Sequence, residues 1–344
     1  MKEVIEKFIE ICKGTNSKEN YEEFVDMEEE STPIRINKDN FHAFKKFDKS
    51  KKMIFVDGGN AELISSASIS IQLIRTYGSV FEKNRIYSIK RENYMLAYAI
   101  KNKRTSSIDY RIEFSPKYFD FEISSFEENL REGNNRIPIA KTGDISRRLC
   151  ELKTASFLSS RFKDSILVLD GNLKSNTDLE RMFLEELYEM SLKNNNIVIA
   201  LSKTSQLITK NGQSLNNLLM KISKALNLEE WYYHPIADIK DSKHRAEITI
   251  VKLHRKSKYC FNFEIFKEQK DKLDEALYFL KENSKDLCFF GYPYGLIDAD
   301  RFARISNKER SYLKTILLAQ IPKNILKDFV LNDSHEILNR LIRK

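Results

Sequence analysis

The sequence predicts an α/β fold in which a mixed β-sheet is flanked by helices, with an N-terminal helix and a helical C-terminal region. Apolar strand patterns and helical patterns alternate through the middle of the chain in the order strand, helix, strand, helix, strand, which is typical of α/β domains. A cluster of strand patterns precedes this alternation. No apolar run approaches the ~18 residues that a membrane span needs, so we expect a cytoplasmic protein with no membrane segment.

The chain is basic, and its positive charge is unevenly distributed. It holds 58 Lys and Arg against 50 Asp and Glu, a net charge of +8. Residues 201–258 hold eleven basic and five acidic side chains, a bias expected of a protein that binds a polyanion, although a merely soluble basic protein stays open. The four cysteines have no Cys-x-x-Cys spacing, which argues against a zinc ribbon and suits a reducing compartment.

An amphipathic helix is predicted at the N-terminus. Its apolar stripe consists of Val4, Ile5, Phe8, Ile9 and Cys12. An acidic, turn-rich connector follows, so the sequence divides into residues 1–35 and a main domain of residues 36–344. A helix of about 12 residues is marginal alone in water, so it must dock on the main domain or on a second subunit. We expect a homodimer in which residues 1–13 contribute to the interface.

Two short apolar strands are each followed by an Asp-Gly pair. Residues 53–56 run into Asp57-Gly58-Gly59, and residues 166–169 run into Asp170-Gly171. Four consecutive apolar residues indicate a strand buried on both faces. We expect each strand to stop at its aspartate, which would place a carboxylate at the strand end as one wall of an acidic site. Asp-Gly as a simple turn dipeptide is the alternative.

A helix is predicted from Asp144 to about residue 162, and it carries a third candidate carboxylate. Glu151 shares one helix face with Ala155 and Leu158, and an unpaired charge on an apolar face is costly to bury. A surface glutamate paired with Arg147 one turn earlier is an equally open interpretation. Arg148, in the first turn, is unfavourable against the helix dipole unless it meets an anion, so we expect it to contact DNA.

The remaining patterns continue the alternation. Thr177-x-x-Glu180 forms a capping box that opens a helix, and residues 196–201 form a third apolar strand ending at Ser202-Lys203-Thr204. We expect Lys203 to contact a phosphate, with an ordinary exposed lysine as the alternative. A later aromatic run contains Tyr292, eight residues before Asp300, a spacing of about two helical turns, and a helix is predicted to start at or after Pro293 or Leu296. An aromatic loop packed on the core is the alternative there.

The three carboxylates from apolar contexts are Asp57, Glu151 and Asp170. At a separation of ~4–6 Å a pair repels by about 4 kcal/mol at an effective dielectric of about 20, so a cluster needs protons or a bridging cation. Oxygen ligands without Cys or paired His select Mg²⁺ or Mn²⁺. Such ions and a basic surface together favour phosphodiester hydrolysis, in which one ion activates water and the other stabilises the leaving oxygen.

Several motifs, in order along residues 50–310, resemble those of the NurA nuclease family. They are Ile54-Phe55-Val56-Asp57-Gly58-Gly59, Arg148 with Glu151, Val168-Leu169-Asp170-Gly171-Asn172-Leu173, Ser202-Lys203-Thr204, Gly291-Tyr292-Pro293 and Ala299-Asp300. The resemblance implies an RNase H-like nuclease domain that uses Mn²⁺ or Mg²⁺, with two ions per site. It also implies exonuclease and single-strand endonuclease activity in end resection at DNA double-strand breaks, by a homodimer that threads DNA and docks on a HerA-type hexameric translocase.

The resemblance also assigns site residues. Asp57, Glu151 and Asp170 match the family's metal-binding carboxylates, and Tyr292 matches its active-site tyrosine. The chain departs from the family at Asp300, where His is common; a carboxylate there can ligate or orient a metal but cannot act as a cationic imidazole. Two other classes stay open from the residues alone. An actin-like ATPase would also begin with Asp57-Gly58-Gly59, and a DNA-binding scaffold without catalysis would keep the basic stretch.

Overall fold

The computed structural model describes residues 1–14, 24–26, 31–82, 85–131, 133–205, 207–287 and 289–322, with only the backbone of residues 10–14. Within these residues the α-helices are α1 (Lys2–Gly14), α2 (Thr142–Arg161), α3 (Asp178–Lys193), α4 (Leu215–Ala225), α5 (Leu273–Glu282), α6 (Tyr294–Ala303) and α7 (Asn307–Gln320). The predicted N-terminal helix and helical C-terminal region are therefore present among the described residues. The side chain of Cys12, most of the acidic connector and Cys288 lie outside the described residues.

The described strands account for the predicted β-structure and extend it. They are β1 (Val25–Asp26), β2 (Ser31–Pro33), β3 (Phe41–His42), β4 (Lys52–Ser65), β5 (Ile69–Glu82), β6 (Arg85–Lys101), β7 (Ile108–Ser115), β8 (Phe121–Ser124), β9 (Ser165–Asp170), β10 (Ile197–Ser202), β11 (Ile208–Thr209), β12 (Trp231–Tyr233), β13 (Ala237–Ile239), β14 (Ala246–Lys252) and β15 (Phe261–Phe266). Short 3₁₀ helices cover Lys38–Asn40, Ile139–Lys141 and Lys267–Lys272. The predicted α/β class, with a large mixed sheet flanked by helices, is confirmed.

The chain forms two compact units. Unit 1 comprises Met1–Lys51, Val168–Lys174 and Ile197–Tyr294, and unit 2 comprises Lys52–Leu167, Ser175–Asn196 and Gly295–Lys344. Strand β9 contributes residues to both. The expected division at residue 35 remains a prediction.

Unit 2 is built on an antiparallel meander in the order β4-β5-β6-β7-β8. Helix α2 packs on β4 and β5 and also contacts α3. The core between helix and sheet contains fully buried Phe55, Ile74 and Leu158. Strand pairing satisfies the backbone of the long strands, and burial of these apolar side chains supplies the stabilisation, at about 25 cal/mol per Å².

Strand β4 does not stop at Asp57, so the expectation of a strand end there is wrong. The strand continues for eight residues, because Gly58 pairs with Thr76 and Gly59 with Arg75 on β5. A register shift follows between Glu62 and Ile64, and the strand ends at Ser65. An antiparallel neighbour of 14 residues holds the glycines in extended conformation, and this partner is invisible in the local Asp-Gly-Gly pattern. Asp57 therefore lies in the middle of a paired strand.

Unit 1 contains the antiparallel order β3-β12-β14-β15-β10. Its core includes Trp231, Tyr233 and Ile250, together with Leu215 and Leu219 from α4. Two further strand pairs, β1 with β11 and β2 with β13, belong to the same unit. No helix among the described residues is long and apolar enough to cross a membrane.

Candidate metal centre

The first carboxylate of the candidate site lies on the central part of β4. Asp57 is 5% exposed and stands opposite Tyr77 of β5 in the strand register. The backbone N–H of Gly58 donates a hydrogen bond of 2.7 Å to Asp57 Oδ1. The pairing fixes the backbone on both sides of the carboxylate, so its position is set by the sheet and not by a loop.

Helix α2 approaches this strand closely, and a glycine makes the approach possible. A Cβ atom on Gly58 would lie 2.7 Å from Glu151 Oε1 and 2.8 Å from Glu151 Cγ, distances that real Cβ atoms essentially never show. Glu151 therefore lies against the backbone next to Asp57. The absence of a side chain on Gly58 leaves room for the Glu151 carboxylate next to Asp57. This role differs from that of a turn residue, which was the alternative interpretation of the Asp-Gly pair.

The two interpretations of Glu151 hold together in the structure. Its side chain is buried on α2, with the residue 3% exposed, and it is also paired with Arg147 one turn earlier. Arg148 Nη1 lies 3.6 Å from the same carboxylate, and its Nε donates to Glu180 Oε1 at 3.0 Å. The two arginines compensate the charge that burial would otherwise penalise.

The neighbouring carboxylates raise the pKa values of both arginines. The carboxylate of Glu151, with smaller contributions from Asp57 and Asp144, raises the pKa of Arg147 against the opposing effect of burial. Burial also opposes the charge on Arg148, but Glu180 and Glu151 outweigh it, so its pKa is raised as well. The guanidinium of Arg148 is thus held between two carboxylates, and its predicted contact with DNA stays a prediction.

Helix α6 brings a further carboxylate to β4, again through glycines. A Cβ atom on Gly295 would overlap the Phe55 ring, and one on Gly59 would overlap the carbonyl oxygen of Ala303. Both ends of α6 therefore lie against the strand. A carboxylate oxygen of the exposed Asp300 comes within 4.8 Å of one on Asp57.

An open cleft of about 330 Å³ is present where these elements meet in unit 2. Its lining consists of Asp57, Gly58, Gly59, Asn60, Arg147, Asp300, Arg304 and Ile305. Oxygen ligands of Mg²⁺ lie 2.0–2.1 Å from the ion, so two oxygens on opposite sides of one ion are about 4.2 Å apart. The Asp57 and Asp300 oxygens lie within 4.8 Å of each other, a limit that includes this separation, and oxygen donors suit a hard divalent cation.

Asp170 ends β9 in unit 1, as the sequence predicted, and it has a cationic partner. Lys203 Nζ lies 2.8 Å from Asp170 Oδ2. Lys203 follows β10 directly, so adjacent strand ends within the unit deliver the acid and the base. The pair is partly exposed, with 44% of the Lys203 side chain and 21% of the Asp170 side chain accessible.

The loop after Asp170 is fixed by hydrogen bonds within unit 1. Gly171 has a positive φ of 101°, donates its N–H to the carbonyl of Leu201 at 3.1 Å and accepts from Ser202 Oγ at 2.7 Å. The N–H of Leu173 donates to buried Glu264 at 2.8 Å, and the same carboxylate oxygen lies 2.9 Å from His244 Nε2. These bonds hold the Asp170 backbone in place.

Tyr292 lies in the turn before α6, outside the helix, because α6 begins at Tyr294. The tyrosine is buried, and its ring packs edge-to-face against Phe261 at a centroid distance of 5.3 Å. Lys203 Nζ lies 5.8 Å from the ring centroid. Tyr292 and Asp170 therefore share Lys203 as a neighbour within unit 1, while the two-turn helical spacing to Asp300 expected from the sequence does not occur.

Three residues that the sequence analysis did not single out belong to these surroundings. Arg304 lines the cleft one turn after Asp300, a spacing that could have indicated it. Asn60 lines the cleft and donates to Asp144 at 3.2 Å. Glu264 lies in an apolar strand, where a lone acid is the only local signal, and its role depends on a loop 91 residues away.

Comparison with known proteins identifies the fold. No protein-family model and no curated protein matches the sequence. Among solved structures, the NurA nuclease from Sulfolobus solfataricus is similar with a TM-score of 0.52 and 13% identity, over 93% of this chain and 97% of that chain. A structure of NurA bound to dAMP and manganese has a TM-score of 0.46 and 10% identity, over 84% and 92%. The structural neighbours of the chain are thus NurA nucleases, and the chain has the fold of the NurA nuclease from Sulfolobus solfataricus.

Proposed function

We propose that the chain is a divalent-metal-dependent nuclease that hydrolyses phosphodiester bonds in DNA. The observation that carries the proposal is the approach of Asp57 and Asp300 to within 4.8 Å at an open cleft, in a chain with the fold of a NurA nuclease. Two carboxylates at this distance are stabilised by a shared cation, and a hydrolytic metal site needs access for its substrate.

The proposed ligands are Asp57, Glu151, Asp170 and Asp300, for Mn²⁺ or Mg²⁺ with two ions per site. Such ions would supply activation of the attacking water and stabilisation of the leaving oxygen. The chain's own residues position this set. The sheet fixes Asp57, the arginine pairs orient Glu151, and the hydrogen-bonded loop holds Asp170.

Cationic and phenolic side chains complete the proposed site. Lys203 and Arg148 are proposed to contact phosphates of DNA, and the Lys203 side chain is 44% exposed. Tyr292 is proposed as an active-site tyrosine, since its ring lies next to Lys203. A lysine that neutralises both an acid and a phosphate would draw the scissile group toward the carboxylates.

The cellular role follows the resemblance to the NurA family. We propose exonuclease and single-strand endonuclease activity in DNA end resection at double-strand breaks, by a homodimer working with a HerA-type hexameric translocase. An actin-like ATPase is disfavoured by the loop after Asp170. A phosphate loop presents free backbone N–H groups, whereas the N–H groups of Gly171, Leu173 and Lys174 all have acceptors within the chain.

The test is DNA cleavage with and without metal, using Asp57→Asn and Asp170→Asn. The native protein is expected to degrade DNA only when Mn²⁺ or Mg²⁺ is added. Each variant should lose cleavage by at least about 100-fold while gel-shift affinity for DNA changes little, because amide oxygens bind metal weakly but phosphate contacts remain. Asp271→Asn, at an exposed carboxylate in the 3₁₀ helix Lys267–Lys272, is the matched control.

The outcomes separate the ligand set from the activity. Full metal-dependent cleavage by either variant would rule out its aspartate as a ligand. Absence of any cleavage by the native protein with both metals, on single-stranded and double-stranded DNA, would rule out the nuclease function. Equal loss in the Asp271→Asn control would point to a general effect of removing negative charge.

A further inference from the structure

Two aromatic side chains of unit 1 are stacked on each other at the protein surface. Tyr259 is 58% exposed and Phe289 is 42% exposed. Their ring centroids are 5.7 Å apart and their planes are inclined by only 18°. Exposed apolar residues occur singly on most proteins, but a nearly parallel pair of partly exposed rings is a specific arrangement that can extend its stack onto another flat group.

The local backbone holds this pair in place. Tyr259 follows the turn between β14 and β15, and its N–H and C=O both hydrogen-bond the hydroxyl of Ser257, at 3.2 and 2.9 Å. Gly291, with a φ of 87°, lies against Ser257 so closely that a Cβ atom there would come within 2.7 Å of Ser257 Cβ. The segment carrying Phe289 is therefore packed directly onto the turn carrying Tyr259.

The turn is strongly basic. Arg255, Lys256 and Lys258 are all exposed, and Lys256 Nζ lies 5.2 Å from the centroid of the Phe290 ring. That ring stacks on His254 at 4.7 Å with an inclination of 13°. Within the part of the chain that the structure describes, no carboxylate lies within salt-bridge distance of Arg255 or Lys258. Three exposed cations thus lie in the turn that leads into Tyr259, where an anionic ligand can reach them.

The stacked pair connects to the candidate site within the same unit. Phe289 meets the Tyr292 ring edge-to-face, at a centroid distance of 6.1 Å. Lys203 lies over Tyr292 and pairs with Asp170. A chain of contacts therefore leads from the proposed metal ligand Asp170, by way of Lys203 and Tyr292, to the exposed rings.

We propose that Tyr259 and Phe289, with the basic turn 254–258, bind a single strand of DNA by stacking on its bases and pairing with its phosphates. Bases in a duplex are already stacked on each other, whereas a single strand offers free base faces, and aromatic platforms with cations are the usual way to hold it. The inference rests on the proposed nuclease function and specifies its substrate as a strand that is single in the few nucleotides next to the cleavage site.

Binding is measured in EDTA, so that cleavage plays no part. The probes are a fluorescein-labelled oligo(dT) 20-mer, read by anisotropy, and the same length carrying 2-aminopurine, whose fluorescence falls when the base stacks. Tyr259→Ala and Phe289→Ala should each weaken oligo(dT) binding about tenfold and reduce the quenching, with less effect on a blunt duplex. Tyr259→Phe should keep both properties. Tyr312→Ala, at an exposed tyrosine on α7, is the control.

The cationic turn is tested separately. Lys258→Ala should lower the slope of log affinity against log salt by about 0.7, the value for one phosphate contact to a single strand, whereas Lys224→Ala on α4 should leave it unchanged. Unchanged oligo(dT) affinity and quenching in Tyr259→Ala would overturn the proposal and would favour a protein partner as the ligand of the exposed rings. Stacking without metal-dependent cleavage by the native protein would refute the nuclease function and leave the platform standing.

Discussion

At the scale of single residues, two neighbouring glycines determine what reaches Asp57. Gly58 gives room to the carboxylate of Glu151, and Gly59 gives room to the end of α6, which carries Asp300. Each glycine has extended backbone within β4, so its value here lies in the missing Cβ and not in unusual torsion angles. The two glycines of the Asp-Gly-Gly motif are therefore explained by two close contacts, that of Gly58 with Glu151 and that of Gly59 with the end of α6.

Gly58→Ala is expected to displace Glu151 and Arg147, because the added methyl group would lie 2.7 Å from Glu151 Oε1. We expect a loss of about 1–3 kcal/mol of unfolding free energy and a larger proportional loss of metal-dependent cleavage. Urea unfolding and cleavage rates measure the two effects. Gly59→Ala is the comparison, since its methyl group meets a backbone carbonyl that cannot rotate away, and it should destabilise more. A Gly58→Ala protein with native stability and activity would contradict the close approach.

At the scale of elements, one arginine fastens α7 to the sheet of unit 2. Arg75 of β5 is almost fully buried and lies 2.6 Å from the Glu92 carboxylate of β6. It also lies 2.5 Å from Glu309 of α7 and donates to the carbonyl of Arg304 at 2.9 Å. These bonds fix the segment that joins α6 to α7, and hence the end of the helix that bears Asp300.

The hydrogen bond from Arg75 lowers the pKa of Glu309 below its ordinary value of 4.5. A carboxyl group with a lowered folded-state pKa stabilises the protein above pH 4.5, and this contribution is lost as the pH falls through the folded-state value. Arg75→Met should lower the unfolding free energy by about 2 kcal/mol at pH 7. The difference in unfolding free energy between the variant and the native protein should become smaller as the pH falls below 4.5. Urea unfolding at several pH values measures this.

Lys90→Met is the matched control for Arg75→Met. Lys90 also pairs with Glu92, at 2.8 Å, but its side chain is 46% exposed, so its removal should cost less than about 1 kcal/mol. Equal losses for the two substitutions would mean that burial of the guanidinium is unimportant. If the difference in unfolding free energy between Arg75→Met and the native protein stays constant from pH 7 down to pH 3, the role assigned to Glu309 is contradicted.

At the scale of the whole molecule, α1 presents an apolar face to solvent. Val4 is 71% exposed and Phe8 is 65% exposed, on a helix of 13 residues that is too short to be stable alone. We predict that the face is covered by a second copy of the chain. Light scattering of the full-length protein should give a dimer at micromolar concentration, and Val4→Ser with Phe8→Ser should weaken it.

Lys7→Ser, on the same helix, is the control and should leave the dimer unchanged. A chain beginning near Pro33 should also dissociate. A monomeric native protein would refute the homodimer, while a double variant and a truncated chain that both stay dimeric would remove α1 from the interface.

Local patterns predicted much of the fold, and contacts between distant segments account for what they missed. Strands β9 and β10 are continuous apolar runs, and Thr177 caps α3 by accepting from the Glu180 N–H at 3.1 Å, so each signal is contained in a few residues. Strand β12 is only three residues long, which is too short for an alternation of apolar and polar residues to be recognised in the sequence. The continuation of β4 depends on β5. The approach of Asp300 to Asp57 joins positions 243 residues apart, and only resemblance to a family indicated it.

The position of Asp57 within β4 has a consequence for the dynamics of the site. Catalytic side chains on loops can be lost through local fraying while the rest of a protein stays folded. Here the residues flanking Asp57 lie in register with β5 on a strand of 14 residues, so exposing their amides requires opening the meander itself. Hydrogen exchange at these amides should be among the slowest in unit 2, and heat inactivation should coincide with its cooperative melting.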